Sequence, residues 1–381
     1  MKRVGIDIGS SAVRVVEVDG TEGPERYARV TKIGIAPLGH NAVRAGRIHN
    51  KITVAQAVAA ALRKAGVSGY GAVVGIASPQ CAIRQINILA AVKPEERPST
   101  LRLGRVEVAP NVPIADSNIS ISHMGDGIDT EGRPVARTVV AAVQRTAVES
   151  VLEVCQTAKI SPRALDLSAA ALTRALVRAT STNHDVHTII DIGESKSLIV
   201  TREGLDLRSM RIVASGGASI TQAIQRAGQL SMRDAEELKR RMHLTGTARV
   251  TPVVAATPGY GTEDIIIETV NAADETLIEE SLNTAAMNLI DQIAQSVEVD
   301  ASTSQSFTQG ITLVGGGALL SGLRERLQSR VGVPVVLAPP WAVVDVNHNT
   351  QDYLEADGQV NPVLLASLAT AIGLAMWEEP R

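Results

Sequence analysis

The chain has 381 residues, 45% of them hydrophobic and 20% charged, which is material for two packed domains and excludes intrinsic disorder. A net charge of −3 and an aromatic content of 2% exclude a general attraction to nucleic acid or anionic lipid, and a base-stacking platform as well. Two cysteines, Cys81 and Cys155, lie far apart in apolar stretches and read as reduced core thiols rather than a metal cluster or disulfide framework.

The N-terminal run MKRVGIDIGSS is too short in apolar residues for a secretory signal, and Asp7 interrupts it. Residues 4–8 read as a strand, Gly9 as a tight turn, and 12–18 as a returning strand. Residues 53–65 are an alanine-rich helix, with Thr53 as its N-cap and Gly66 as its C-cap. A buried strand follows at 71–77. Polar and proline-bearing stretches at 93–100, 124–134 and 251–262 read as loops, and 101–122 is strand-like. Helices are expected at 145–158 and 168–180.

At residue 190 the beginning returns. Ile6-Asp7-Ile8-Gly9-Ser10-Ser11 recurs as Ile190-Asp191-Ile192-Gly193-Glu194-Ser195, and over fifteen residues (6–20 against 190–204) seven are identical. A separation of 184 residues is far too long for a solenoid repeat and points to one domain built twice. The second copy again reads as strand (188–192), turn and strand (197–201). Helices follow at 219–227, 231–242 and 275–296, the last with Asp274 as its cap. Strand 311–314 runs into Gly315-Gly316-Gly317, then helix 319–330 and strand 335–338. Residues 362–377 form a buried helix, since the stretch is shorter than the roughly 18 apolar residues of a membrane span. The fold class is therefore α/β.

A phosphate chain needs convergent backbone donors free of bulky side chains, and a carboxylate to hold the water shell of a magnesium ion. Each D-I-G turn offers both. Asp7 and Asp191 would face one cleft as metal-binding carboxylates. Gly9, Ser10 and Ser11 would donate to the phosphates from one side, and Gly193, Glu194 and Ser195 from the other. Gly315, Gly316 and Gly317 read either as a backbone seat for a base and ribose or as a tight strand–helix turn. Gly216 opens a helix nearby. Glu236 and Lys239 share a helix face, where they either bind ribose hydroxyls or form an exposed ion pair. The basic cluster Lys239-Arg240-Arg241 reads as a solvated helix face.

These pieces together resemble the actin, Hsp70 and sugar-kinase superfamily, with a first phosphate loop at 5–18, a connecting segment at 164–176, a second phosphate loop at 189–204 and an adenosine motif at 310–327. Within it the chain resembles the PilM family of type IV pilus assembly proteins, relatives of FtsA. The stretches GIDIGSSAVRVVEV, ALDLSAAALTRAL, IIDIGESKSLIV, LVGGGALLSGLRERL and NPVLLASLATAIGLAMW carry the likeness. The resemblance implies an actin-like ATPase fold of two duplicated α/β domains, at 1–185 and 186–381, around a nucleotide cleft. It implies an inserted 1C subdomain near 79–161 and a 2B subdomain near 228–305. It further implies ATP and Mg²⁺ in the cleft, and as partner the cytoplasmic tail of a PilN-like inner-membrane protein, beside a pilus assembly ATPase. The chain departs from the family pattern at Lys93-Pro94-Glu95-Glu96-Arg97-Pro98.

For hydrolysis a water must stand in line with the γ-phosphate. The candidates are Asp166, which otherwise caps the helix near Ser168, and Glu194. With neither fixed as a water-positioning group, the expectation is ATP binding with slow hydrolysis or none, in a cytoplasmic protein held at the membrane by its partners. The alternatives are an FtsA-like filament protein anchored by its own C-terminal helix, and a small-molecule kinase of the same superfamily.

Overall fold

The structure is a computed structural model, and it describes residues 2–20, 28–39, 41–103, 108–109, 112–176, 185–204, 206–244, 272–304, 307–338, 344–346, 355–356, 359–360 and 366–378. The expected loop at 251–262 lies outside them, as do residues 362–365 of the expected C-terminal helix.

The first half runs β1 (Lys2–Ile8), β2 (Ala12–Gly20), β3 (Ala28–Pro37), a short hairpin β4 (Val43–Arg44) and β5 (Arg47–Ile48), then α1 (Lys51–Ala65) and β6 (Val73–Ile76). An insertion follows: β7 (Cys81–Leu89), α2 (Arg97–Leu103), β8 (Ser117–Ile128) and β9 (Pro134–Gln144). The half closes with α3 (Arg145–Thr157), β10 (Ala164–Leu167) and α4 (Ser168–Leu176). The second half runs β11 (Val186–Ile192), β12 (Ser197–Glu203), β13 (Asp206–Val213), α5 (Gly217–Gly228), α6 (Met232–Arg241), α7 (Ala272–Ser304), β14 (Gly310–Val314), α8 (Leu323–Val331) and β15 (Val335–Leu337). After it come β16 (Val344–Val346) and α9 (Ala369–Ala375).

The duplication is topological. One sheet has the order β10-β6-β1-β2-β3-β16, and the other contains β15-β14-β11-β12-β13. In both, the first three strands of the half are antiparallel neighbours, and two more strands add in parallel beside the first. The second sheet is covered on both faces. Ile189, Leu198 and Val200 point into one core, while Ile190, Ile192 and Ile199 point into the other. Period-2 alternation between two buried faces explains why these strands read as almost unbroken apolar runs.

The insertion joins the opposite half. β7 pairs with β13, Arg84 beside Ser209 and Ile83 beside Met210. The second sheet thus continues as β13-β7-β9-β8 to eight strands. α9 crosses back the other way and is buried throughout. A Cβ on Gly5 of β1 would lie 2.2 Å from the carbonyl oxygen of Ala371, and one on Gly373 would lie 1.8 Å from that of Ala171 in α4. Glycine here permits backbone to touch backbone.

Several local expectations are corrected. The N-cap of α1 is Asn50, whose side chain accepts from the N–H of Thr53, so Thr53 sits one turn inside; Gly66 is the left-handed C-cap, φ 61°. Asp274 lies within α7 rather than ahead of it. Residues 93–100 are a 3-10 turn (Pro94–Glu96) leading into α2, because proline in a first helical turn sacrifices no hydrogen bond. The stretch 101–122 therefore begins as the end of α2, and among its described residues the strand starts at Ser117. β8 then runs to Ile128 through the expected loop. Its register shifts between His123 and Gly125 (φ 126°), so the glycine marks a bulge. The turn proper is held by Asp129, which accepts from the N–H groups of Glu131 and Arg133, both at 2.9 Å. Helix α8 starts at Leu323, not 319, after a 3-10 turn (Gly316–Leu319) and Gly322 at φ 85°.

Candidate functional site

The two D-I-G hairpins have the same turn. Gly9 N–H donates to Ala12 O at 3.1 Å, and Gly193 N–H donates to Lys196 O at 2.9 Å. The tips face each other across the gap between the halves. Ser10 Oγ and Ser195 Oγ are 2.5 Å apart, and Ser195 Oγ also accepts from the N–H of Ala45 at 2.9 Å. The backbone N–H groups of Ser10 and Ser11 have no backbone acceptor among the described residues, as a phosphate cradle requires.

Asp7 and Asp191 stand one residue before each turn's isoleucine and share one partly buried environment. Burial pushes the Asp7 carboxyl up, opposed by Arg14 and Lys196. Burial and the neighbouring Asp7 charge push Asp191 up to about 6, opposed by Lys196, Arg14 and the Thr370 hydroxyl of α9. The Asp7 charge thus raises the cost of ionising Asp191, as a like charge nearby does. Arg14 is the cross-strand partner of Asp7, with Nη1 3.9 Å from Oδ2. In the second hairpin the equivalent position beside Asp191 is Leu198. The second cation is instead Lys196, whose Nζ donates to Ala77 O of the first half at 2.5 Å. Burial lowers its pKa while both aspartates raise it.

The expected site residues of the second half converge. Gly217 N–H donates to Gly193 O at 2.9 Å, and Ala218 N–H donates to Glu194 O at 2.8 Å, so α5 begins on the second hairpin. A Cβ on Gly216 would lie 2.5 Å from Gly193 O. One on Gly315 (φ 86°) would lie 2.2 Å from Asp191 Oδ1, and one on Gly317 would lie 2.5 Å from Ile192 Cγ2. A Cβ on Gly316 would meet nothing within 4 Å among the described residues, so this glycine presents an open face to them. Glu236 and Lys239 are not the exposed pair of the simpler sequence reading. Lys239 is 11% exposed and donates to Glu236 Oε2 (2.5 Å), Thr221 Oγ1 (2.8 Å) and Gly217 O (3.2 Å). Thr221 Oγ1 in turn donates to Glu236 Oε2 at 2.6 Å.

Asp166 does not cap α4. It accepts from the N–H of Leu167 at 2.9 Å and pairs with Arg174, whose Nε donates to Gly373 O at 3.0 Å. It is thereby committed to the crossing of α4 and α9. Sequence reasoning missed Arg14 and Lys196. The signal for Arg14 was its place opposite Asp7 in a hairpin whose register the glycine turn sets; Lys196 carried none beyond its place at the end of a turn. Both cysteines are buried and free, and burial pushes both thiols up to about 11. No helix among the described residues is long and apolar enough to cross a membrane.

Chemically, the arrangement offers two carboxylates for a hydrated divalent cation, hydroxyls and free N–H groups for phosphate oxygens, and a glycine wall with one open face. The donor set fits a nucleotide held with magnesium: Asp7 and Asp191 toward the metal's waters, Ser10, Ser11 and Ser195 toward phosphate.

Comparison with known proteins bears on the family and the fold. A family profile described as "Type IV pilus assembly protein PilM" matches residues 5–251. A chain of the solved PilM-PilN type IV pilus biogenesis complex is 22% identical, covering 99% of this chain and 98% of that one, with a TM-score of 0.73. The cell division protein FtsA of Streptococcus pneumoniae serotype 2 (strain D39 / NCTC 7466) is 22% identical over 357 residues, 88% of this chain and 75% of that protein. The ethanolamine utilization protein EutJ of Carboxydothermus hydrogenoformans is 14% identical over 99% of this chain and 90% of its own, with a TM-score of 0.50. The fold is the actin-like fold of two duplicated α/β halves.

Proposed function

The chain belongs to the PilM family of type IV pilus assembly proteins, and from that premise we propose that it is a nucleotide-gated scaffold of the assembly machine. ATP with Mg²⁺ binds between the halves at 1–185 and 186–381. Asp7 and Asp191 hold the metal's water shell, and Gly9, Ser10, Ser11, Gly193, Glu194 and Ser195 hold the phosphates. Gly216, Gly315, Gly316, Gly317 and the Glu236–Lys239 pair line the nucleoside end. Hydrolysis is slow or absent, because Asp166 is engaged by Arg174 and Glu194 alone is left as a candidate to orient water. The nucleotide acts by closing the halves on each other and changing the surface presented to partners. The partner is the cytoplasmic tail of a PilN-like inner-membrane protein, which places this chain at the inner face of the cytoplasmic membrane.

The observation that carries the reading is the meeting of the two hairpin tips, Ser10 with Ser195 at 2.5 Å, with a carboxylate behind each. It is tested by titrating a fluorescent ATP analogue with wild type, Asp7→Ala and Asp191→Ala in magnesium, and by titrating a synthetic PilN-type tail peptide with and without ATP. Binding of the analogue that is equally tight in all three proteins would remove the nucleotide site from this cleft. Absence of peptide binding in either state would remove the partner.

A further inference from the structure

Lys196 connects three things that the fold otherwise keeps apart. It belongs to the second hairpin. It shares the environment of both carboxylates, one from each half. And its ammonium donates to Ala77 O, at the root of the insertion. Only residues 77–80 separate β6 from β7. That short root is fastened to the insertion's exit: Gln144 N–H donates to Gln80 O at 2.9 Å, and Gln80 Nε2 donates to Gln144 Oε1 and Thr146 Oγ1, both at 2.7 Å. Gly46 packs over Ala77 O so closely that a Cβ there would lie 2.0 Å away. Ala77 O is therefore enclosed, and the ammonium is its side-chain donor.

We propose that Lys196 is the positioning residue that reports nucleotide occupancy to the insertion. This rests on the nucleotide reading above. From the hairpin that carries Asp191 and Ser195, the ammonium donates to the Ala77 carbonyl at 2.5 Å. When a metal triphosphate enters, two forces act on Lys196 in the same direction. A divalent cation held through Asp7 and Asp191 would repel the ammonium. The phosphates offer charged acceptors, which form stronger hydrogen bonds than a neutral carbonyl. Lys196 turns to phosphate, Ala77 O loses its donor, and the insertion's root loosens. Because β7 is also hydrogen-bonded to β13, loosening at Ala77 transfers the insertion's allegiance toward the second half. The coupling is a two-state element biased by ligand at one end, which is what linkage between distant sites needs.

The test measures ATP affinity and amide hydrogen exchange in the same samples of wild type, Lys196→Met and Lys196→Arg, with ATP in magnesium and with ATP in EDTA. In wild type, ATP–magnesium should speed exchange at residues 77–89 and 134–144 by about threefold or more, a local opening rather than global unfolding. Lys196→Met should still bind ATP–magnesium, show fast exchange in those segments before any ligand is added, and give no further response. It should also bind ATP in EDTA less well than wild type does, having lost an ammonium from the second hairpin. Lys196→Arg should restore the ATP-dependent response. ATP binding with unchanged exchange in wild type, or the wild-type response surviving in Lys196→Met, overturns the inference and leaves the nucleotide reading standing. No ATP binding by wild type overturns both.

Discussion

Ser10 and Ser195 touch hydroxyl to hydroxyl at 2.5 Å, although 185 residues separate them and each closes the turn of a different half. The contact joins the tips of the two hairpins whose backbone and hydroxyl groups are proposed to hold the phosphates.

The two serines are not equivalent. Ser195 Oγ also accepts from Ala45 N–H, and among the described residues Ser10 Oγ has no such second bond. Ser195→Ala should cost about 1–2 kcal/mol, because it strands a backbone donor, and Ser10→Ala about 1 kcal/mol or less. Urea denaturation of both variants checks the order; equal losses would place the Ala45 bond outside the stability of the fold.

Asp191 should set a pH dependence that a single substitution exposes. Its folded pKa, about 6, is raised from an ordinary value of 3.8, so the folded state holds a proton that the unfolded state has released between these values. The group therefore weakens stability as pH rises through that window, fully so above about 6. Asp191→Asn should melt higher than wild type at pH 7.5, and the advantage should fade toward pH 4. A gap in melting temperature that is constant from pH 4 to 7.5 contradicts this. The same variant should bind ATP–magnesium at least about tenfold more weakly, the exchange of stability for function common at binding sites.

Gly373 and Gly316 make a controlled pair. A Cβ on Gly373 would meet the Ala171 backbone at 1.8 Å, whereas one on Gly316 would meet nothing within 4 Å among the described residues. Gly373→Ala gains helix propensity of about 1 kcal/mol and should still be destabilising overall by about 2 kcal/mol or more, since α4 and α9 must separate. Gly316→Ala should leave stability within about 0.5 kcal/mol and weaken nucleotide binding, because the methyl projects into the open face of the glycine wall. Denaturation midpoints and a nucleotide titration on both variants decide it.

Lys239 holds α6 to α5 through Glu236, Thr221 and the Gly217 carbonyl. Lys239→Met leaves the Glu236 carboxylate, itself about a third exposed, with Thr221 and the outer Arg240. The expected loss is about 1–3 kcal/mol, smaller than for a fully buried pair because water reaches Glu236. Glu236→Gln with Lys239→Met together should recover part of it; a double variant as unstable as the sum of the singles would show that the two side chains act independently.

The sequence by itself determined the duplication, the two hairpins and most strands of the repeated core. Asp-Ile-Gly turns are local chemistry, and the apolar runs beside them are dictated by burial on both faces. Local signals erred where a residue type has two uses: Gly125 served a bulge rather than a loop, Pro94 opened a helical turn, and Asn50 capped α1 three residues before Thr53. Only the tertiary structure decided that the insertion's β7 joins the sheet of the opposite half, that Arg174 takes Asp166 away from the cleft, and that Lys196 reaches Ala77. The reason is physical. A strand's alternation specifies its faces but not its edge partner, and a long cationic side chain finds its acceptor only once the two halves have been brought together.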